Sequence, residues 1–92
     1  MDATEEMVLE LYVQGQSARS NAALETVRRV CEGELRRPYR LDVIDILQDP
    51  GRVAKAGIIA TPALVRRQPE PILRTVGRLT EKRVRQGLGI GE

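Results

Sequence analysis

Residues 58–76, IIATPALVRRQPEPILRTV, contain the pattern on which the fold depends. The apolar run around Pro62 leads into a strand, and the turn QPEP at 68–71 is followed by a second short run of strand-forming residues. The spacing of the two runs predicts an antiparallel hairpin whose second strand ends at Gly77.

The chain before this hairpin predicts a strand, a helix and another strand. Residues 7–13, MVLELYV, alternate with period two and are rich in strand formers. Apolar side chains then recur at helical spacing over about residues 20–35, after a polar turn with good N-cap residues. Residues 39–46 alternate again, so this half predicts a right-handed parallel βαβ unit.

Two short helices complete the predicted order. Asp49-Pro50 is typical of a helix start, and Gly57 of a helix end. Thr80-Glu81 caps a last helix that runs through about residue 88. The resulting α/β order, βαβαββα, is typical of a thioredoxin-like core. Because Thr61-Pro62 precedes the third strand of that core, we expect its peptide bond to be cis.

Composition bounds the size of the protein and removes several kinds of chemistry. A chain of 92 residues allows one small domain over residues 1–92. No apolar run reaches the roughly 20 residues of a membrane span. The chain has no His and one cysteine, Cys31, so it lacks an imidazole base, a His metal ligand and a CxxC pair. We therefore expect a soluble, cytoplasmic protein that is not an enzyme and holds no cofactor or metal.

The two halves of the chain carry opposite charge. Residues 1–50 hold six basic and ten acidic side chains, a net charge of −4, and residues 51–92 hold nine basic and three acidic ones, a net charge of +6. This asymmetry favours self-association or docking on an acidic protein surface. The alternative is an arginine-rich surface that is only solvated.

Two other functions fit the sequence less well. A thiol oxidoreductase would share the predicted fold, but its active-site turn, residues 14–20, has no cysteine, and Cys31 lies on the apolar stripe of the first helix. Nucleic-acid binding would use the basic second half, but those arginines are spread over several elements and the chain has only two aromatic residues. We expect neither nucleic acid nor a membrane as a partner.

Four blocks of sequence resemble the KaiB family of the bacterial circadian system, in order and at matching spacing. They are LYVQGQSARSNAAL at 11–24, YRLDVIDILQDP at 39–50, IIATPALVRRQPEPILRTVGRLTEK at 58–82 and QGLGI at 86–90. The resemblance implies a noncatalytic regulator that binds the ATPase ring of a KaiC-type protein, with KaiA or a clock-output histidine kinase as further partners. It also implies a resting homo-oligomer, a dimer or tetramer, in a second fold of order βαββααβ.

The resemblance assigns roles to particular residues. The candidates for contact with the ring are Arg52, Lys55, Thr61, Pro62, Arg66 and Arg67. The edge of the second strand, with Arg40 and Asp42, is the candidate for strand addition by a second partner. The candidates for influence on a change of fold are Pro62, Pro69, Pro71, Gly77, Arg78, Gly87 and Gly89.

The second half of the chain also contains the features that distinguish this sequence. Six of the eight glycines and four of the five prolines lie from residue 50 onward, so local preference for one fold is weak there. Arg78 stands where many family members carry an acid, and Gly89 stands where aspartate is usual. These departures favour a divergent paralogue in stress response, or a timer without KaiA, as alternatives to a circadian oscillator.

Overall fold

The computed structural model describes residues 5–90, and the predicted order βαβαββα is confirmed. The elements are β1 (Met7–Val13), α1 (Ala18–Glu34), β2 (Tyr39–Asp45), α2 (Pro50–Ala56), β3 (Ala63–Gln68), β4 (Leu73–Val76) and α3 (Glu81–Leu88). They form one four-stranded sheet of order β2-β1-β3-β4. The β1–β2 pair is parallel and the β3–β4 hairpin is antiparallel, as predicted.

One element boundary differs from the prediction for a local reason. The helix α1 begins two residues earlier than residue 20 because the Ser17 hydroxyl accepts a hydrogen bond from the Ser20 backbone N–H at 3.1 Å. The strand β3 begins at Ala63, directly after Pro62, as predicted, because Pro62 has no N–H for the ladder. The short helix α2 begins after Asp49, as predicted, and Gly57 ends it with φ +70°.

One face of the sheet is covered by α1 and α3. Leu9, Leu11 and Leu64 point to this face and are completely buried. Val27 of α1 and Val84 of α3 are buried in the same core. This larger core contains the alternating positions of β1 that the period-two pattern places on one side.

The opposite face of the sheet is covered only in part, by α2. Tyr12, Ile44 and Val65 are buried there, together with Ala56 of α2. The rest of this face carries charged side chains, which form the network around Glu10 described below. At one end of the sheet both faces are therefore apolar. At the other end one of the two faces is polar.

A chain of five alternating charges joins α1 to α3. Glu25 pairs with Arg29 at 2.9 Å, Arg29 with Glu81 at 3.1 Å, Glu81 with Arg85 at 3.3 Å, and Arg85 with Glu34 at 2.8 Å. All five side chains are at least 32% exposed, so solvent screens each pair and added salt weakens it further.

Three peptide bonds before prolines are cis: Thr61–Pro62, Gln68–Pro69 and Glu70–Pro71. The first of these was predicted from its place in the fold. Across residues 5–90, every helix is too short or too polar to cross a membrane.

Candidate functional site

A groove crosses the end of the molecule where four loops meet. The paired ends of the four strands lie here, since Val13 is next to Asp45, and Ala63 is next to Val76. The loops that leave or enter these strands enclose three adjoining cavities of about 520, 510 and 300 Å³. We call this surface the cis-proline groove; it includes Gln14, Gln16, Arg19, Leu47, Ile59, Thr61, Pro62, Arg78 and Thr80.

Pro62 lies at the centre of the groove and connects its parts. It is buried, and it lines both larger cavities, as Arg19 does. The smaller cavity shares Gln14 and Thr61 with its neighbour. Two of the residues predicted to contact a partner, Thr61 and Pro62, therefore lie in the groove.

Two apolar side chains at the rim of the groove are exposed to solvent. Ile59 is 97% exposed and Leu47 is 66% exposed, the two largest values among the exposed large apolar side chains of residues 5–90. Ile58, next to Ile59, packs instead against the core under α2. Exposed apolar side chains beside a cavity are typical of a surface that binds another molecule.

The described residues that line the groove include neither a cysteine nor a carboxylate side chain. Cys31 is 1% exposed in the core between α1 and the sheet. Burial, with a smaller effect of the nearby Glu32, raises the pKa of the Cys31 thiol to about 11. The thiol is protonated near neutral pH and does not line the groove. Within residues 5–90, no group of acidic or cysteine side chains could hold a metal ion. The groove is suited to binding.

Two other predicted contact residues, Arg52 and Arg67, are held by one carboxylate. Arg67 Nε lies 2.8 Å from Glu10 Oε1, and Arg52 Nη2 lies 3.1 Å from Glu10 Oε2. Arg52 also pairs with Asp42 at 2.6 Å. Both arginines are about one-third exposed, so they are only partly available to a partner. Lys55, by contrast, is exposed on α2.

Arg66 differs most from the sequence-based expectation, because it is a core residue and not a surface one. It is 6% exposed; its Nη1 donates to the Leu88 carbonyl at 2.8 Å and its Nη2 to the Pro71 carbonyl at 3.0 Å. The Nε atom is buried and has no hydrogen-bond partner among the described residues 5–90. Strand alternation places Arg66 on the same face as Leu64, which α1 and α3 cover. In this fold the Arg66 side chain is not available for contact with a partner, which corrects its prediction as a contact residue.

The edge of β2 that is predicted to bind a second partner is open. The residues whose backbone groups are free there are not the predicted Arg40 and Asp42. β2 is the end strand of the sheet. The Ile46 N–H donates to the Val13 carbonyl, so in this parallel ladder the even-numbered residues of β2 face β1. The backbone groups of Leu41 and Val43 therefore point outward, whereas Arg40 and Asp42 use theirs in the ladder.

The residues predicted to influence a change of fold are spread over the second half of the chain. They are Pro62 and Arg78 in the groove, Pro69 and Pro71 in the β3–β4 turn, and Gly77, Gly87 and Gly89 around α3. Gly87 packs closely, since a Cβ there would lie 2.5 Å from Thr75 Oγ1. Gly89 ends α3 with φ +75°, and a Cβ there would collide with the Arg66 guanidinium. Their effect on a second fold stays a prediction.

The hydrogen bonds and ion pairs of Glu10 connect α2 to the sheet, and the stability that they contribute depends on pH. Burial alone would raise the pKa of the Glu10 carboxyl, but hydrogen bonds from Tyr12, Arg67 and Arg52 outweigh it and hold that pKa below its ordinary value. The stabilisation is therefore complete above the pKa of Glu10 in the unfolded chain. It is lost as the pH falls through the lower pKa of the folded chain.

We expect Glu10→Gln to lower the free energy of unfolding at neutral pH by about 1–3 kcal/mol, because two arginines lose their charged acceptor. The difference from the parent chain should shrink when the pH is lowered from neutrality to an acidic value at which Glu10 of the folded chain is protonated. Urea denaturation at both pH values measures it. The exposed Glu32→Gln is the control, and an equal loss for Glu10→Gln at both pH values would contradict the network's role.

Comparison with known sequences identifies relatives over most of the chain. The family model described as the KaiB domain matches residues 10–90. The chain is 35% identical over 85 residues to "Circadian clock protein KaiB3" of Synechocystis sp., covering 91% of this chain and 83% of the relative. It is 40% identical over 84 residues to "Circadian clock oscillator protein KaiB" of Prochlorococcus marinus (strain MIT 9303), covering 90% of this chain and 71% of the relative.

Comparison with solved structures identifies the fold. The N-terminal domain of Synechococcus elongatus SasA superposes with a TM-score of 0.74 at 24% identity, covering 97% of this chain and 89% of that domain. Chloroplastic thioredoxin z superposes with a TM-score of 0.70 at 19% identity, covering 95% of this chain and 77% of that one. The fold is thioredoxin-like, as the element order predicted.

Proposed function

The chain belongs to the KaiB family of circadian clock proteins, and we propose from this that it is a noncatalytic clock or timer regulator which binds the ATPase ring of a KaiC-type protein. It modulates the phosphorylation cycle of that protein and acts as one domain in the cytoplasm. The observation that carries the proposal is the family match over residues 10–90, which includes every residue of the cis-proline groove.

The groove supplies the contact surface in this proposal. Thr61 and Pro62 lie at its centre, with the exposed side chains of Leu47 and Ile59 beside them. Burial of a large aliphatic side chain contributes about 1.5–3 kcal/mol, so these two side chains can supply much of a micromolar affinity. Three basic side chains on or beside α2 contribute positive charge to the contact surface: Lys55, Arg52 and Arg67.

Further partners and a second fold belong to the same proposal. The free backbone groups of Leu41 and Val43 support strand addition by KaiA or a clock-output histidine kinase. A resting homo-oligomer with the order βαββααβ keeps β1, α1 and β2 and rearranges the rest. It is supported by the exposed ion pairs that hold α3 to α1, and by the buried Arg66, which pairs with no carboxylate of residues 5–90.

One observation favours a second candidate function, a divergent paralogue in stress response with a different protein partner. Arg78 replaces an acid that is common in the family, and it lies in the groove itself. A change of charge sign at a binding surface changes which partners it accepts. The partner of such a paralogue would carry negative charge where it meets Arg78.

The test is complex formation between the purified chain and the KaiC-type ATPase of the same organism, with and without ATP, followed over hours by native mass spectrometry. We expect a nucleotide-dependent complex that Ile59→Asp weakens at least about tenfold, because an apolar contact is lost. Ile72→Asp is the matched control, since Ile72 is 47% exposed and lies outside the groove.

Absence of a complex at about 10 μM, an affinity worth roughly 7 kcal/mol, would contradict ring binding and favour the paralogue. Binding within seconds would mean that the thioredoxin-like fold is already dominant. Binding over hours would mean that the competent fold is rare at rest.

A further inference from the structure

Two arginines in the cis-proline groove have no partner in the described chain. Arg19 lies in the first turn of α1 and Arg78 in the loop before α3, and both line the cavity of about 520 Å³. Both side chains are exposed, and neither forms a hydrogen bond or ion pair with residues 5–90. By contrast, Arg52 and Arg67 are each paired with a carboxylate.

No acidic side chain offsets this charge within the groove. The described residues that line its three cavities include Arg19 and Arg78 but neither Asp nor Glu. Buried apolar side chains, those of Ala23 and Leu79, form part of the wall between the two arginines. Two cations over an apolar wall attract an anion more strongly than two cations in open water.

The other end of the groove is apolar. Ile59 lines the cavity of about 300 Å³, which includes neither arginine, and Leu47 lines the cavity of about 510 Å³ next to it. A ligand that fills the groove therefore has to combine negative charge with apolar side chains. No aromatic residue lines the groove on which a nucleobase could stack, and inorganic phosphate would leave Leu47 and Ile59 exposed.

We propose that the cis-proline groove binds an acidic segment of a partner protein, with carboxylates on Arg19 and Arg78 and apolar side chains on Leu47 and Ile59. An arginine can bind a carboxylate through two parallel N–H groups, which orients the segment as well as attracting it. The inference rests on the proposed function where the partner is the KaiC-type ATPase, and it names the chemistry of the segment recognised.

The first test uses peptides and does not depend on the ATPase. Proton–nitrogen correlation NMR spectra of the labelled chain are recorded with the peptide Ac-LEELEE-amide and with its neutral counterpart Ac-LQQLQQ-amide. We expect the acidic peptide to shift signals of residues 14–20, 46–48, 58–61 and 77–80, and the neutral peptide to bind at least about tenfold more weakly. Equal shifts from both peptides, or shifts outside these residues, would overturn the proposal.

Charge-reversed variants test whether Arg19 and Arg78 cause the response to the acidic peptide. Arg19→Glu/Arg78→Glu should lose the response to the acidic peptide. Arg28→Glu/Arg36→Glu makes the same change in net charge with exposed arginines outside the groove, and should keep the response within about twofold. Circular dichroism melting checks that both variants fold. An oligothymidine that shifts the groove signals when the acidic peptide does not would also overturn the proposal.

The second test separates this inference from the proposed function. If the parent chain binds the ATPase and Arg19→Glu/Arg78→Glu binds it equally well, the acidic-segment proposal fails and ring binding stands. If the parent chain does not bind the ATPase but responds to the acidic peptide as expected, ring binding fails and the acidic-segment proposal stands.

Discussion

We expect Arg66→Glu to lower the free energy of unfolding by about 3–5 kcal/mol, the usual effect of an uncompensated buried charge. The Arg66 side chain is 6% exposed and donates to the carbonyls of Leu88 and Pro71. A carboxylate at this position would face two acceptors with no donor, in a site that excludes water. Burial, with a smaller effect of Arg37, already lowers the pKa of the guanidinium, so the site disfavours charge even with its two hydrogen bonds.

Thermal denaturation followed by circular dichroism measures this change. A domain of this size loses about 4–8 °C of melting temperature per kcal/mol, so the expected shift is easily resolved. Arg40→Glu is the matched control, because Arg40 is exposed on β2, and it should change stability by less than about 0.5 kcal/mol. A melting temperature for Arg66→Glu equal to that of the control would show that Arg66 is not buried in the working fold.

The burial of Arg66 also affects the interpretation of partner-binding assays with Arg66 variants. Loss of partner binding by Arg66→Glu would report loss of the fold and not loss of a contact. Arg66→Met separates the two, because it keeps the apolar stem and removes the buried Nε that has no partner. Arg66→Met should lower the free energy of unfolding by only about 1–2 kcal/mol, because the carbonyls of Leu88 and Pro71 lose their donor. It should keep partner binding.

Leu88→Ala should lower the stability of the thioredoxin-like fold by about 2–5 kcal/mol. Leu88 is completely buried in the core that α1 and α3 form with the sheet, and its carbonyl accepts the hydrogen bond from Arg66. Truncation of the side chain removes the apolar anchor at the end of α3. The ion pairs between α1 and α3 are exposed and cannot replace it.

Urea denaturation measures this loss, and Leu47→Ala is the matched control. Leu47 is 66% exposed in the groove, so the same truncation there should cost less than about 0.5 kcal/mol. A loss below about 1 kcal/mol for Leu88→Ala would contradict the anchoring of α3 by this core.

The same variant tests the second fold. If a fold of order βαββααβ lies within a few kcal/mol, Leu88→Ala transfers population to it, because the truncated contact belongs to the thioredoxin-like fold. Proton–nitrogen correlation spectra would then show a second dispersed set of signals for residues 50–90. If no second fold is accessible, the variant unfolds in one step to a chain with collapsed dispersion throughout.

Local patterns in the sequence determined the order of the elements. The period-two pattern of residues 7–13, the helical spacing that follows, and the Asp49-Pro50 and Thr80-Glu81 starts each predicted an element that is present. These signals depend on near neighbours along the chain, through caps, turns and alternation, and so they can be read without knowledge of the fold. The fold class followed from the order, and the family from four blocks of matching residues.

Which charged side chains are available to a partner depends on long-range packing. Alternation predicts that Arg66 and Arg67 point to opposite faces of β3, but the face that becomes buried depends on where α3 packs. Likewise, Arg19 and Arg78 line one cavity although they are far apart in sequence, because paired strand ends bring their loops together. Long-range packing and burial set these partners, and no local pattern records them.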